Sequence, residues 1–168
     1  MEVLEGILSR RSCRVFDGAP VDEAILEKII DAGRHAPSAM NKQPWHFTVI
    51  TGRRMLDALD ELVLGSPKGS FFYKAPALII VSRDPGAMYG VEDASCALEN
   101  MLLAAHGLGL GAVWCNKLNG NTVLGDKLRA FGIPGDMVPH GCLALGHPVP
   151  GFSASPRILA ANKVTWIS

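Results

Sequence analysis

The run SRRSCRVF, residues 9 to 16, sets Arg10, Arg11 and Arg14 around Ser12. Arginine suits phosphate because its planar fork donates two parallel hydrogen bonds to phosphate oxygens. The serine hydroxyl adds another donor. Cations this close repel one another unless an anion or acidic side chains intervene, and only Asp17 is near in sequence. A bound phosphate group and a solvated basic turn both satisfy this pattern. A second polar run, Ser38-Ala39-Met40-Asn41-Lys42-Gln43, is bracketed by Pro37 and Pro44 and followed by Trp45. It places amide and hydroxyl groups on a stiffened elbow just ahead of an apolar stretch.

Other chemistry-bearing patterns are weaker. GLGLG, 107 to 111, resembles a dinucleotide fingerprint, but a helical pattern precedes it and a strand pattern follows. That order is reversed for a dinucleotide fold, so it reads as a helix end and tight turn. There is no Walker A sequence and no G-x-S-x-G elbow. The histidines, His35, His46, His106, His140 and His147, form no H-x-x-x-H or H-E-x-x-H motif. Cys13, Cys96, Cys115 and Cys142 have neither C-x-x-C nor zinc or iron–sulfur spacing. They read as reduced thiols, and no metal site is expected.

The elements that must position these groups follow from apolar spacing. A short helix is expected over about 2 to 10, with Val3, Leu4, Ile7 and Leu8 on one face. Asp22 reads as the N-cap of a second helix, with Val21 and Leu26 as its hydrophobic staple. Pro37 ends that helix by biasing Ala36 away from helical geometry. WHFTVI is a strand with Trp45, Phe47 and Val49 on one face. A third helix covers 53 to 64, and PALIIVS, 76 to 82, is a strand buried on both faces. Residues 91 to 109 form the longest helix, apolar enough to be central. GAVWCN and VPHGCLALGHP, 138 to 148, are further strands. NTVLGDKLRAFGI reads as a short helix capped by Asn121 or Thr122. These elements make an α+β layered fold in one domain spanning 1 to 168. The tail from 149 is Pro- and Ser-rich, then ends in the strand-like KVTWI, whose Val164, Trp166 and Ile167 suit pairing with another chain.

Hydrophobic residues make up 48% of the chain, enough for a substantial core. Sixteen basic and sixteen acidic residues cancel, which argues against nucleic acid as a partner. No apolar run approaches the roughly 18 residues of a membrane span. MEVLEGILSRRS lacks the apolar core of a signal peptide. A soluble cytoplasmic protein is expected.

RRSCRVF, APSAMNKQPWHFTVI, GLGLGAVW, GHPVP with a downstream PR, and the terminal KVTW together resemble the FMN-dependent nitroreductase family, in family order along nearly the whole chain. The resemblance implies a homodimer with FMN at the subunit interface and a tail, 149 to 168, exchanged with the partner. By analogy Arg10, Arg11, Ser12 and Arg14 contact FMN, with Arg10 and Ser12 at its phosphate and ribityl chain and Arg14 nearer the pyrimidine side. Arg157 resembles the family's C-terminal phosphate-binding arginine. Pro37, Ser38, Ala39 and Asn41 would lie against the partner subunit's flavin, with Gln43 fixing that segment. Ala112, Val113 and Trp114 resemble the stretch along the flavin's other side. Many relatives carry serine where this chain has Ala39, and often lysine where it has Ser155.

The implied activity passes hydride from NADH or NADPH through FMN to an electron-poor acceptor such as a nitroaromatic or quinone. The cofactor supplies that chemistry, so no dedicated side-chain acid or base is required. The alternatives are a module that stores or senses FMN without turnover, and a reductase of the same fold with a specialised substrate.

Overall fold

The computed structural model describes residues 2–66, 68–120, 124–157 and 164–167. Among these residues four α-helices, α1 (Val3–Ser9), α2 (Glu23–Arg34), α3 (Arg53–Leu64) and α4 (Gly90–Gly107), are interspersed with four strands. The strands are β1 (Trp45–Ile50), β2 (Ala77–Arg83), β3 (Gly111–Cys115) and β4 (Val138–Gly146). They form one sheet in the order β1-β2-β4-β3, antiparallel at every junction. The α+β expectation is met.

Both faces of the sheet are covered, which explains the unbroken apolar runs of β2 and β4. Ala77, Ile79 and Val81 point into a cluster with Leu26, Ile29 and Met101 from α2 and α4. Leu78 and Ile80 point the other way, toward Leu56 and Leu59 of α3 and Leu128 of the 3₁₀ segment Gly125–Phe131. Asp22 caps α2 by accepting a hydrogen bond from Ala24 N at 2.8 Å, and the staple residues Val21 and Leu26 are both buried. Gly33 lets α2 meet α4 closely, since a Cβ there would lie 3.0 Å from Met101 Cγ.

Several expectations change. The expected short helix is present as a 3₁₀ helix, over the narrower span 125–131. The expected caps Asn121 and Thr122 lie outside the described residues. The stripe on α1 covers no core within the chain: Val3, Leu4 and Leu8 are each more than 70% exposed, and only Gly6 of that helix is buried. Val49 is likewise partly exposed, while Trp45 and Phe47 pack against the first cluster. Among the described residues of KVTWI, 164–167 form no strand, and Val164, Trp166 and Ile167 are open to solvent.

Candidate functional site

The arginine segment is laid along the free edge of the sheet. Ser12 forms a parallel bridge with Ala112 of β3, and Cys13 N donates to Ala112 O at 3.0 Å. Phe16 pairs antiparallel with Pro148 just beyond β4. Gly111 makes this approach possible, because a Cβ there would sit 2.6 Å from Cys13 Cβ and Sγ. Two motifs about a hundred residues apart therefore become neighbours.

The three arginines are held differently. Arg10 follows α1, and its largely buried side chain places Nε 3.6 Å from Glu99 Oε1 on α4. Arg11 Nη1 donates to Leu8 O at 2.7 Å and Arg10 O at 2.8 Å, capping the last carbonyls of α1. Arg14 lies over the Tyr73 ring, 5.9 Å from its centroid. Asp17 instead accepts from Ala19 N, so the carboxylate that approaches the cluster is Glu99, not the acid nearest in sequence. A cavity of about 350 Å³ opens beside Arg11, Ser12 and Arg14, and its other wall is the tail, with Ser153 and Ser155. Arg157 follows on that tail and is exposed.

The elbow is a separate, tightly organised unit. Residues Ala39–Asn41 form a single 3₁₀ turn that the sequence pattern did not indicate. Met40, Asn41 and Gln43 all have positive φ, near +50°. Such left-handed non-glycine residues persist only where the surroundings over-determine them, and they concentrate at functional sites. Here Ser38 Oγ accepts from Gln43 N at 3.0 Å, and Gln43 Nε2 donates to Asn41 Oδ1 at 3.1 Å. Asp93, buried in the first turn of α4, accepts from Ala39 N at 2.9 Å.

The Nitroreductase family model matches residues 7–147. The chain belongs to the nitroreductase family. It is 41% identical, over 88% of its length and 78% of the other's, to a protein of Methanothermobacter thermautotrophicus provisionally named NADH dehydrogenase/NAD(P)H nitroreductase. A Bacteroides fragilis nitroreductase crystallised with bound FMN is 34% identical, with a TM-score of 0.92 over the whole of both chains. The FMN reductase [NAD(P)H] of Bacillus subtilis is 25% identical over 94% of this chain and 70% of its own.

In this nitroreductase the segment around Arg10, Arg11, Ser12 and Arg14 meets the β3 segment Ala112–Trp114 through the Ser12–Ala112 bridge. The elbow that carries Pro37, Ser38, Ala39, Asn41 and Gln43 is fastened instead to the opening turn of α4, through Ala39 N. Val113 is buried in the second core cluster, so its backbone rather than its side chain is what it can offer a ligand. The Trp114 indole lies against Gly141, where a Cβ would come within 2.5 Å of Nε1.

Sequence reasoning missed three residues that organise the region. Asp93 carried only a helix-start signal, since its partner is 54 residues away. Tyr73 carried none. His140 is turned toward α4 where β4 carries an extra residue opposite Val81 and Ser82 of β2. There Nε2 lies 2.9 Å from Ser95 Oγ, while Nδ1 has no protein partner. Burial, reinforced by the Arg83 charge, pushes the His140 pKa down. Burial drives the Cys142 thiol up, so it stays protonated within the core. Among the described residues no group of His, Cys, Asp or Glu is arranged to hold a metal. No described helix is long and apolar enough to cross a membrane.

Proposed function

We propose that this nitroreductase is an FMN-dependent NAD(P)H oxidoreductase, and that its 168 residues form one domain of a cytoplasmic homodimer. The observation that carries the cofactor assignment is the cavity beside Arg11, Ser12 and Arg14, closed by Ser153 and Ser155. Guanidinium groups and hydroxyls on one wall are the donor set a phosphate monoester requires. The residues present fit FMN, and the Bacteroides fragilis structure contains it.

Arg10, Arg11, Ser12 and Arg157 would hold the phosphate and ribityl chain, with Ser155 offering a hydroxyl where relatives often carry lysine. Arg14 would place its positive charge at the pyrimidine edge, where the reduced ring carries negative charge. Ala112, Val113 and Trp114 would back one side of the ring. Pro37, Ser38, Ala39, Asn41 and Gln43 would come from the partner subunit. Anchoring of the elbow on α4 and of the arginine segment on β3 supports a site completed between two chains. The exposed apolar residues of α1 and of the tail support association through those surfaces, with 149–168 reaching the partner. FMN held there would supply hydride transfer from NADH or NADPH to an electron-poor acceptor such as a nitroaromatic or quinone, in a ping-pong cycle. The protein's part is to bind, orient and supply the fixed positive charge.

The test is a visible spectrum after incubation with FMN and desalting, followed by NAD(P)H oxidation with a quinone. One retained flavin per chain and acceptor-dependent oxidation are expected. Absence of retained flavin sinks the cofactor assignment. Retained flavin with NAD(P)H oxidation no faster than free FMN marks a storage or sensing module instead.

A further inference from the structure

The turn after α3 is built at a conformational cost that packing alone does not require. Tyr73 and Lys74 are consecutive non-glycine residues with φ of +58° and +53°. Side chains disfavour this region because Cβ crowds the following carbonyl. The turn is nonetheless pinned from both sides. Buried Asp60 accepts from Ser70 Oγ at 2.5 Å, Phe71 N at 2.7 Å and Phe72 N at 3.1 Å. Ser70 Oγ in turn accepts from Lys74 N at 2.9 Å. On the far side Arg53 Nη1 donates to Ala75 O at 3.1 Å, and Asp57 ties Arg53 and Lys74 together at 2.9 and 3.0 Å. Phe72 is buried as the plug between these anchors.

What the strained pair presents is the Tyr73 ring, partly exposed and beneath the Arg14 guanidinium. Arg14 is itself exposed and, among the described residues, forms no salt bridge. A long arginine on an open loop samples many rotamers, and its charge is then spread over a wide volume. An aromatic face confines it while leaving its N–H edge free to donate, because the cation–π attraction acts on the flat face of the guanidinium.

We propose that Tyr73 is a positioning residue for Arg14, and that the doubly anchored 70–75 turn exists to hold the ring where it keeps that charge on the cofactor's pyrimidine edge. This rests on the FMN reading above. The role is electrostatic and differential: the fixed charge favours reduced over oxidised FMN, so Tyr73 should tune the ratio of the two affinities more than either affinity alone.

The experiment measures dissociation constants for oxidised and, anaerobically, reduced FMN in the wild type, Tyr73→Phe, Tyr73→Leu, Arg14→Gln and the Tyr73→Leu/Arg14→Gln double variant. Tyr73→Leu should hold oxidised FMN within about twofold of wild type but weaken reduced FMN about threefold more, the scale of an exposed cation–π contact. Tyr73→Phe, which keeps the ring, should match wild type. In the Arg14→Gln background Tyr73→Leu should add nothing to the ratio. Equal weakening of both forms, loss in Tyr73→Phe, or an undiminished effect in the Arg14→Gln background overturns the assignment while leaving the FMN reading in place. A wild-type protein that takes up no FMN overturns that reading and the role together. Urea midpoints of the apo wild type, Tyr73→Leu, Arg14→Gln and the double variant close the cycle, and additive shifts, which mean no coupling between Tyr73 and Arg14, also overturn the assignment.

Discussion

Replacing Asp93 tests whether the elbow is held open for a ligand or merely packs against a helix. The carboxylate is buried and makes one charge-assisted hydrogen bond, to Ala39 N at 2.9 Å. Its loss should remove about 1.5–3 kcal/mol. Its position in the first turn of α4 adds about 0.3–1 kcal/mol through the helix dipole. Against this, three left-handed residues, Met40, Asn41 and Gln43, each carry roughly 1–2 kcal/mol of backbone strain, less for asparagine. Once unfastened, the elbow can relax and recover part of it. Asp93→Ala should therefore lower global stability by only about 2 kcal/mol while disordering the elbow locally. Hydrogen exchange followed by mass spectrometry separates the two effects. Exchange in a peptide covering 36–43 should accelerate about thirtyfold, the equivalent of about 2 kcal/mol of lost local protection, whereas a peptide covering 77–83 should change only with global stability. Asp93→Asn keeps an acceptor oxygen and should accelerate exchange far less. If Asp93→Ala lowers the urea midpoint but leaves exchange at 36–43 untouched, the carboxylate serves α4 alone and the elbow's strain is sustained by something else.

Arg10→Ala should weaken FMN retention by about 1.5–3 kcal/mol, the worth of a charged hydrogen bond; unchanged affinity by equilibrium dialysis removes its phosphate role. Gly111→Ala drives a methyl group into Cys13 and should cost about 1–3 kcal/mol as overpacking, with FMN lost in parallel; a flavin-replete variant of normal melting temperature contradicts the contact. Truncation after Pro156 should give flavin-free monomers or aggregates by light scattering, and a yellow dimer refutes the exchanged tail. His140 has a depressed folded pKa, so the unfolded chain binds more protons below its ordinary value of about 6.5. Stability should be full above that pH and fall as pH drops toward the folded value. His140→Phe should flatten that part of the urea-midpoint profile, and an undiminished slope assigns it to other groups.

The strands were legible because their side chains face two covered layers. PALIIVS and GCLALG could hardly be anything but central, and they are β2 and β4. Asp22 with its Val21–Leu26 staple marked the start of α2 correctly because those signals are local. The elbow's turn was not legible. Nothing in Ala39-Met40-Asn41 favours left-handed backbone at methionine, and one of the contacts that hold the turn comes from Asp93 on another helix, 54 residues away. The α1 stripe looked like an ordinary amphipathic face, and helical spacing says that such a face must be covered without saying by which chain. The arginine cluster and the β3 segment could be read separately from sequence. That they touch follows from sheet order, with β3 at the edge, and sequence periodicity does not encode strand order.

The same edge placement joins the proposed ligand capture to protection against aggregation. β3, with the sequence Gly-Ala-Val-Trp-Cys, has β4 on one side and, among the described residues, the Ser12–Cys13 segment paired on the other. An uncovered apolar edge strand is a template for pairing with a second molecule. The short segment that carries the arginines also occupies that template, and the charges it brings would keep other strands away. A proteolytic nick between Arg11 and Cys13, or a substitution that lifts this segment, would therefore do more than empty the site. It would bare a sticky β edge, and the damaged protein would be expected to precipitate rather than persist as a colourless but folded chain.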